Sequence, residues 1–368
     1  MPGMRKDELN SSRKRWQDSR WVNVLLGMFG LLAAWVLLNL VINGKCDGQC
    51  VVSTLAQSLR TMTPIAFAAL CGVMCERAGV TDIGIEGKML MSAMVAYAVN
   101  LFVFQGLKDV MPLESAASTA RVVALVVGTL AALPLAALHA GLAINIKADQ
   151  IISGTVINIL AIGITGYFYR QFLAENLPAG PGTFSLINIP GLENIPVLGV
   201  IYQIFLQQKP LTYIMLITAF VVNYVLFFTP WGLRTRAVGE HPRAADTLGI
   251  NVYRMRWTNV LIGGLIAGLG GAWFTLEAVD VFNPLMTNGV GFIGLAAMIF
   301  GKWSPLGALV GAFIFGLGTS VTTTLGIFRP DIPSQIPQML PYILTIIVLT
   351  GVVGRAIPPA ADGQPYNK

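Results

Sequence analysis

The chain has 368 residues, 55% of them hydrophobic and only 11% charged, with a mean hydropathy of +0.68. A soluble domain carries roughly 25% charged residues, so this composition excludes an ordinary soluble protein and points to an all-α polytopic membrane protein with small loops. The net charge of +6 sits at the ends of apolar runs rather than on one face, which argues against a nucleic-acid partner.

The first 20 residues form a polar tail without the small-residue cleavage pattern of a secretory signal. Arg13, Lys14, Arg15 and Arg20 abut the apolar run from Trp21, which reads as an uncleaved first span with its N-terminus inside. A span needs about 20 apolar residues. Such runs lie at 21–42, 52–75, 84–104, 121–143, 151–172, 211–229, 257–279, 305–325 and 339–353. The run 289–302 is too short to cross alone and reads as a half-helix or re-entrant segment. The expectation is about nine or ten transmembrane helices, including a broken or re-entrant segment, in one domain over 21–355, with tails at 1–20 and 356–368.

Alternation from an internal N-terminus places 1–20, 76–88, 144–150, 230–257, the region around Lys302 and 354–368 in the cytoplasm. It places 43–51, 105–121, 173–210, 280–288 and 326–338 outside. In this arrangement 17 of the 24 Lys and Arg lie inside, in agreement with the positive-inside rule. The Pro- and Gly-rich loop 173–210 reads as an external surface, either irregular or with one amphipathic helix. Cys46 and Cys50 share a short external loop and are either a disulfide or two thiols. Cys71 and Cys75 lie four apart on a helix with no histidine nearby in sequence, so they read as buried cysteines rather than metal ligands.

Two apolar regions are interrupted. ERAGVTDIGIEG, residues 76–87, holds Glu76, Arg77, Asp82 and Glu86 among three glycines. Ionisable groups beside spans are costly unless paired or wet, so a broken helix is expected there, facing a cavity or another protein surface. The alternative is a cytoplasmic turn with a Glu76–Arg77 surface pair. The second interruption, 288–316, has Gly and Pro breaks and one charge, Lys302. Gly264–Gly268 and Gly307–Gly311 are small-xxx-small pairs, expected to pack helices closely. Catalytic machinery is not evident. Gly87-Lys88 is followed by Met89, so no phosphate-binding loop forms, and the two histidines, His139 and His241, build no metal cluster or nucleophile–base arrangement. No cofactor is expected.

Residues 230–257, PWGLRTRAVGEHPRAADTLGINVYRMRW, carry five arginines between two apolar runs and must project into water. Ala244–Leu248 reads as a short helix, with Pro242 in its first turn and Gly249 at its stop. The plain reading is an ordinary basic loop. The other is a helix placed to receive force from a soluble partner.

ERAGVTDIGIEG at 76–87, SGTVINILAIGITGYFYR at 153–170 and GLRTRAVGEHPRAADTLGINVYRMRW at 232–257 together resemble ABC-transporter permeases of the ribose/branched-chain amino-acid superfamily, nucleoside (simple-sugar-annotated) type. The resemblance covers roughly residues 55–355. Asp82 stands where the family usually has Asn, and the N-terminal 20 residues and KCDGQC lie outside the pattern. The resemblance implies a permease subunit in the plasma (inner) membrane. It also implies a cytoplasmic ATPase, a second homologous permease and an extracytoplasmic substrate-binding protein, with a nucleoside or related sugar-containing solute. It matches the family's coupling helix to Gly239, Glu240, Ala244, Ala245 and Gly249. Asp82, Glu86, Thr155 and Asn158 are the candidates to line a pathway, and Asp82→Asn is expected to leave the fold intact. A competing reading is an ion-coupled secondary transporter acting alone, for which Asp82, Glu86 and Glu277 are the intramembrane carboxylates to consider. A third is a scaffolding membrane subunit.

Overall fold

A computed structural model describes residues 48–173, 180–192, 195, 198–328, 333, 335–339, 343 and 356–368. The predicted spans 21–42 and 339–353, apart from residues 339 and 343, lie outside these residues, as does Cys46. Among the described residues the chain is helical, without strands. Among the described residues, seven helical segments are long and apolar enough to cross a membrane.

In chain order the helices are α1 (Gly48–Glu76), α2 (Ile85–Leu107), α3 (Leu113–Ala131), α4 (Leu133–Ala140), α5 (Gln150–Phe168), α6 (Leu198–Ile201), α7 (Pro210–Phe228), α8 (Pro230–Glu240), α9 (Pro242–Thr247), α10 (Val252–Trp273), α11 (Val290–Phe300), α12 (Pro305–Phe328) and α13 (Gln335–Gln338). Helix α1 is the axis of the bundle. Its most apolar stretch is 89% buried, against 33% for α7, and it packs on α10, α11 and α12. Small residues let these helices approach. Gly294 of α11 lies against Ala68 and Ala69 of α1, and Gly72 of α1 against Met298 of α11. The two expected small-xxx-small pairs pack helices: Gly264 and Gly268 face Ala136 and Thr129, and Gly307 and Gly311 face Gly301 and Ala297. The outer faces of α5 and α7 expose Ile159, Tyr167, Phe220 and Tyr224, as suits lipid contact.

The short run near 289–302 is helix α11, 11 residues long. At roughly 1.5 Å per residue it reaches about half the thickness of a bilayer core. It starts at Gly289, in the left-handed region at φ 82°, and ends at the turn Gly301–Trp303. The loop 173–210 contains a short helix, α6, followed by a π-helical turn, Tyr202–Leu206. It is tied down by Arg121, which donates to the carbonyls of Pro181 and Gly182, and by Phe184 N–H donating to Leu276 O at 2.7 Å. Cys50 opens α1 and is disulfide-bonded.

Candidate functional site

The ERAG segment joins most of the elements at its end of the bundle. Helix α1 stops by a Schellman motif. Gly79 is left-handed at φ 78°, its N–H donates to Glu76 O, and Val80 N–H donates to Cys75 O. Residues 80–84 then run without helix back along α1, so that Asp82 comes to lie beside Cys75 and Cys71, and α2 starts at Ile85. The broken helix expected from the glycines is present. The alternative Glu76–Arg77 surface pair is not: Glu76 is buried and accepts from the Trp303 indole at 2.5 Å, while Arg77 Nε donates to Trp303 O at 2.8 Å.

The motif's two outer glutamates hold the two ends of α11. Glu76 fixes the turn after it. Glu86 accepts from Gly289 N–H at 2.8 Å and Gly291 N–H at 2.6 Å, so a carboxylate from α2 caps the positive end of α11. Only glycine fits at 291, where a Cβ would stand 2.7 Å from Glu86 Oε2. The turn after α11 places Lys302 and Trp303 at φ 52° and 54°, a conformation costly for side-chain-bearing residues. The bonds from Glu76 and Arg77 hold it there.

At the centre lies a closed polar cluster. Asp82 and Lys88 are fully buried and ion-paired. Asp82 Oδ2 also faces the Cys75 thiol at 3.4 Å, and Oδ1 accepts from Gly84 N–H at 3.1 Å. His139 Nε2 is 3.8 Å from Oδ1 and 3.0 Å from Thr81 O. A carbonyl can only accept, so Nε2 carries the proton, and Nδ1 meets Ser153 Oγ at 3.0 Å. Burial alone raises the Asp82 carboxyl. The Lys88 ammonium and then His139 outweigh it and hold the group at about 2. Cys71, Cys75 and Asp82 are close enough to share a cation, but the Lys88 ammonium already occupies the carboxylate's open side.

Helix α5 clamps this loop from outside. Gln150 Oε1 accepts from Thr81 N–H at 2.7 Å. Asn158 accepts from Gly87 N–H at 2.8 Å and donates to Ile83 O at 3.0 Å. Thus Asp82 and Asn158 are enclosed in protein, Glu86 is half-buried as a helix cap, and Thr155 lies exposed on α5, bonded to Ile151 O. The four do not converge on one surface. The Asp82–Lys88 pair also corrects one expectation. Asp82→Asn removes the only anion facing Lys88 among the described residues, so it no longer counts as a neutral change to the fold.

The basic stretch forms two helices rather than one. Helix α8 ends at Glu240 and α9 follows at Pro242. Helix α9 closes with its own Schellman motif. Ile250 N–H donates to Ala245 O, Gly249 N–H to Asp246 O, and Gly249 has φ 81°. Among the five coupling candidates, Glu240, Ala244 and Gly249 are exposed, whereas Gly239 and Ala245 face inward. Gly239 lies under the ERAG turn, where a Cβ would stand 2.2 Å from Arg77 O, and Ala245 packs with Val238, Val252 and Tyr366. Sequence reading did not single out Lys88 and His139 as partners of Asp82, nor Trp303 as the partner of Glu76. Lys88, six residues from Asp82, was the one available signal.

These features define the class: a multi-pass, all-α membrane protein whose broken segments are tied into one network of backbone and side-chain bonds. The family described as the permease component of branched-chain amino acid transport systems matches residues 54–349, and this chain belongs to it. It is 44% identical over 310 residues to the guanosine ABC transporter permease protein NupQ of Bacillus subtilis, covering 83% of this chain and 93% of that protein. It is 39% identical over 324 residues to the nucleoside ABC transporter permease protein NupC of Lactococcus lactis, covering 86% and 99%. A second B. subtilis protein, the guanosine permease protein NupP, is 23% identical over 308 residues, covering 80% and 79%. The chain is therefore a membrane-embedded transport subunit and not itself an enzyme. ATP hydrolysis belongs to a separate ATPase, and a substrate-binding partner goes with the class.

Proposed function

We propose that this chain forms half of the translocation pathway of an ATP-driven importer for nucleosides or related sugar-containing solutes. The similarity to NupQ and NupC across most of the chain carries the substrate class. In this reading the other half is a second, homologous permease. The match to both NupQ and the more distant NupP of one organism supports two different chains rather than two copies. An extracytoplasmic binding protein delivers the solute, and the complex sits in the plasma (inner) membrane with both termini of this chain cytoplasmic.

In the same reading α9 is the ATPase contact. Ala244 is a small exposed residue on a six-residue helix with a rigid stop, which suits entry into a groove. Arg243 and Thr247 flank it on the exposed side. Glu240 also accepts from Ala360 N–H at 3.2 Å, so it serves this chain's own tail as well as any partner. Alternating access then follows from a helix that binds the two ATPase states differently. Ion coupling is the weaker reading, because Asp82 is ion-paired with Lys88 and Glu86 is bonded by two backbone N–H groups. That leaves Glu277 alone of the three carboxylates with an oxygen that lacks a well-aligned bond among the described residues.

Reconstitution with the ATPase, second permease and binding protein tests the proposal. Guanosine uptake should require ATP and be indifferent to collapse of ion gradients. Ala244→Arg should reach the membrane at normal levels yet lose ATPase co-purification and uptake, since a long charged side chain replaces a methyl at the contact. Full uptake by this variant would remove α9 from the coupling role.

A further inference from the structure

The C-terminal segment is not a free tail. From 356 to 368 it lies across the ERAG end of the bundle and touches every element that the coupling reading needs. Ala361 N–H donates to Gly239 O at 2.9 Å and Ala360 N–H to Glu240, at the end of α8. Asp362 accepts from the Thr81 hydroxyl at 3.1 Å, inside the ERAG segment. Arg256 of α10 donates to Gln364 O at 2.8 Å, and Tyr253 donates to Tyr366 O at 3.3 Å. The Tyr366 ring is buried among Val238 of α8, Ala245 of α9 and Val252 of α10, and meets the Tyr253 ring edge-on at 5.6 Å. Lys147, before α5, donates to Asn367.

Two features separate this from a casual contact. First, the segment supplies a partner to a buried charged group. Arg256 is 1% exposed, and the Gln364 carbonyl accepts from its Nη1, while Nε and Nη2 have no hydrogen-bond partner among the described residues. Second, it closes a sandwich. Gly239 is pressed on one side by Arg77 O, while its own carbonyl accepts from Ala361, and Ala361 O in turn lies against Gly79. A displacement of α8–α9 must therefore move the segment and the ERAG turn together. Through Glu76 and Glu86 that turn holds both ends of α11.

We propose that residues 356–368 are a strut that stays docked throughout the transport cycle and carries motion of α8–α9 to the ERAG turn and α11. Asp362 and Tyr366 are its positioning residues. This inference rests on the reading that α9 receives the ATPase.

The test uses the complete importer in proteoliposomes, with guanosine as the solute and ATP hydrolysed per guanosine moved as the readout. Deletion of Pro358–Lys368 should leave membrane level and ATPase co-purification unchanged and raise ATP consumed per guanosine by about fivefold or more. The paired Lys147→Cys and Asn367→Cys variant, joined by a flexible bis-maleimide, should transport like its single-cysteine controls, because a strut never needs to leave. An unchanged ratio after deletion overturns the proposal. So does transport arrested by the cross-link, which would make the segment a releasing latch. A loss of transport that merely follows a loss of protein level also overturns it, leaving only a folding clamp. If Ala244→Arg still co-purifies with the ATPase, the underlying reading of α9 fails instead.

Discussion

Two buried carboxylates lie towards opposite ends of α1, and they are handled differently. Asp82 has a full set of partners: an ammonium, a backbone N–H, a thiol and a nearby imidazole. Glu277, at the end of α10, accepts from Leu211 N–H at 2.6 Å through Oε1. Its Oε2 and the neighbouring Trp273 indole nitrogen are buried without a well-aligned bond among the described residues. Lys209 meets its backbone carbonyl rather than its carboxylate. The first arrangement is a closed joint, in which both carboxylate oxygens are bonded and little can move without breaking a charge pair. The second retains unused capacity. A transporter needs both kinds of place, since force travels through closed joints, while rearrangement is cheaper where bonds are incomplete.

The same chemical change, carboxylate to amide, sharpens the contrast. Asp82→Asn strands a buried Lys88 ammonium and should destabilise the purified protein by about 3–5 kcal/mol, read as a large drop in detergent melting temperature. The pair also sets a pH window. A depressed carboxyl contributes stability that is present above the ordinary aspartate value of about 4 and is lost as pH falls towards about 2. Melting temperature should therefore show no step from this group between neutrality and mild acid. Glu86→Ala removes the cap of α11 and should cost about 1–2 kcal/mol, with faster hydrogen exchange at Gly289 and Gly291. Glu277→Gln keeps an oxygen for Leu211 N–H and should cost about 1 kcal/mol or less. Equal melting shifts for Asp82→Asn and Glu277→Gln would collapse the distinction between the two ends.

Much of the fold was legible in the sequence. The spans within the described residues fall at or within a few residues of the apolar runs, except that α3 starts at Leu113 rather than 121. The half-helix at 290–300, the break after Glu76 and the stop at Gly249 also match, because length, apolar content and left-handed glycines act locally. The resemblance pointed to a proposed coupling region but not to the orientation of its residues. Gly239 and Ala245 turn inward, while Ala244 between them in sequence turns out.

Local pattern by itself determined where this chain is helical, where it breaks and that it belongs in a membrane, since those outcomes depend on neighbours a few residues away. Tertiary structure alone decided who partners whom. Asp82 meets His139 across 57 positions of sequence (139 less 82), and Glu76 meets Trp303 across 227. The tail returns to α8 across about 120 residues. A buried polar group must find a partner, but in sequence every carboxylate has many equally acceptable cations and N–H groups. Only the packing of α2 against α5, and of α1 against α11, brings one of them into reach and removes water from the rest.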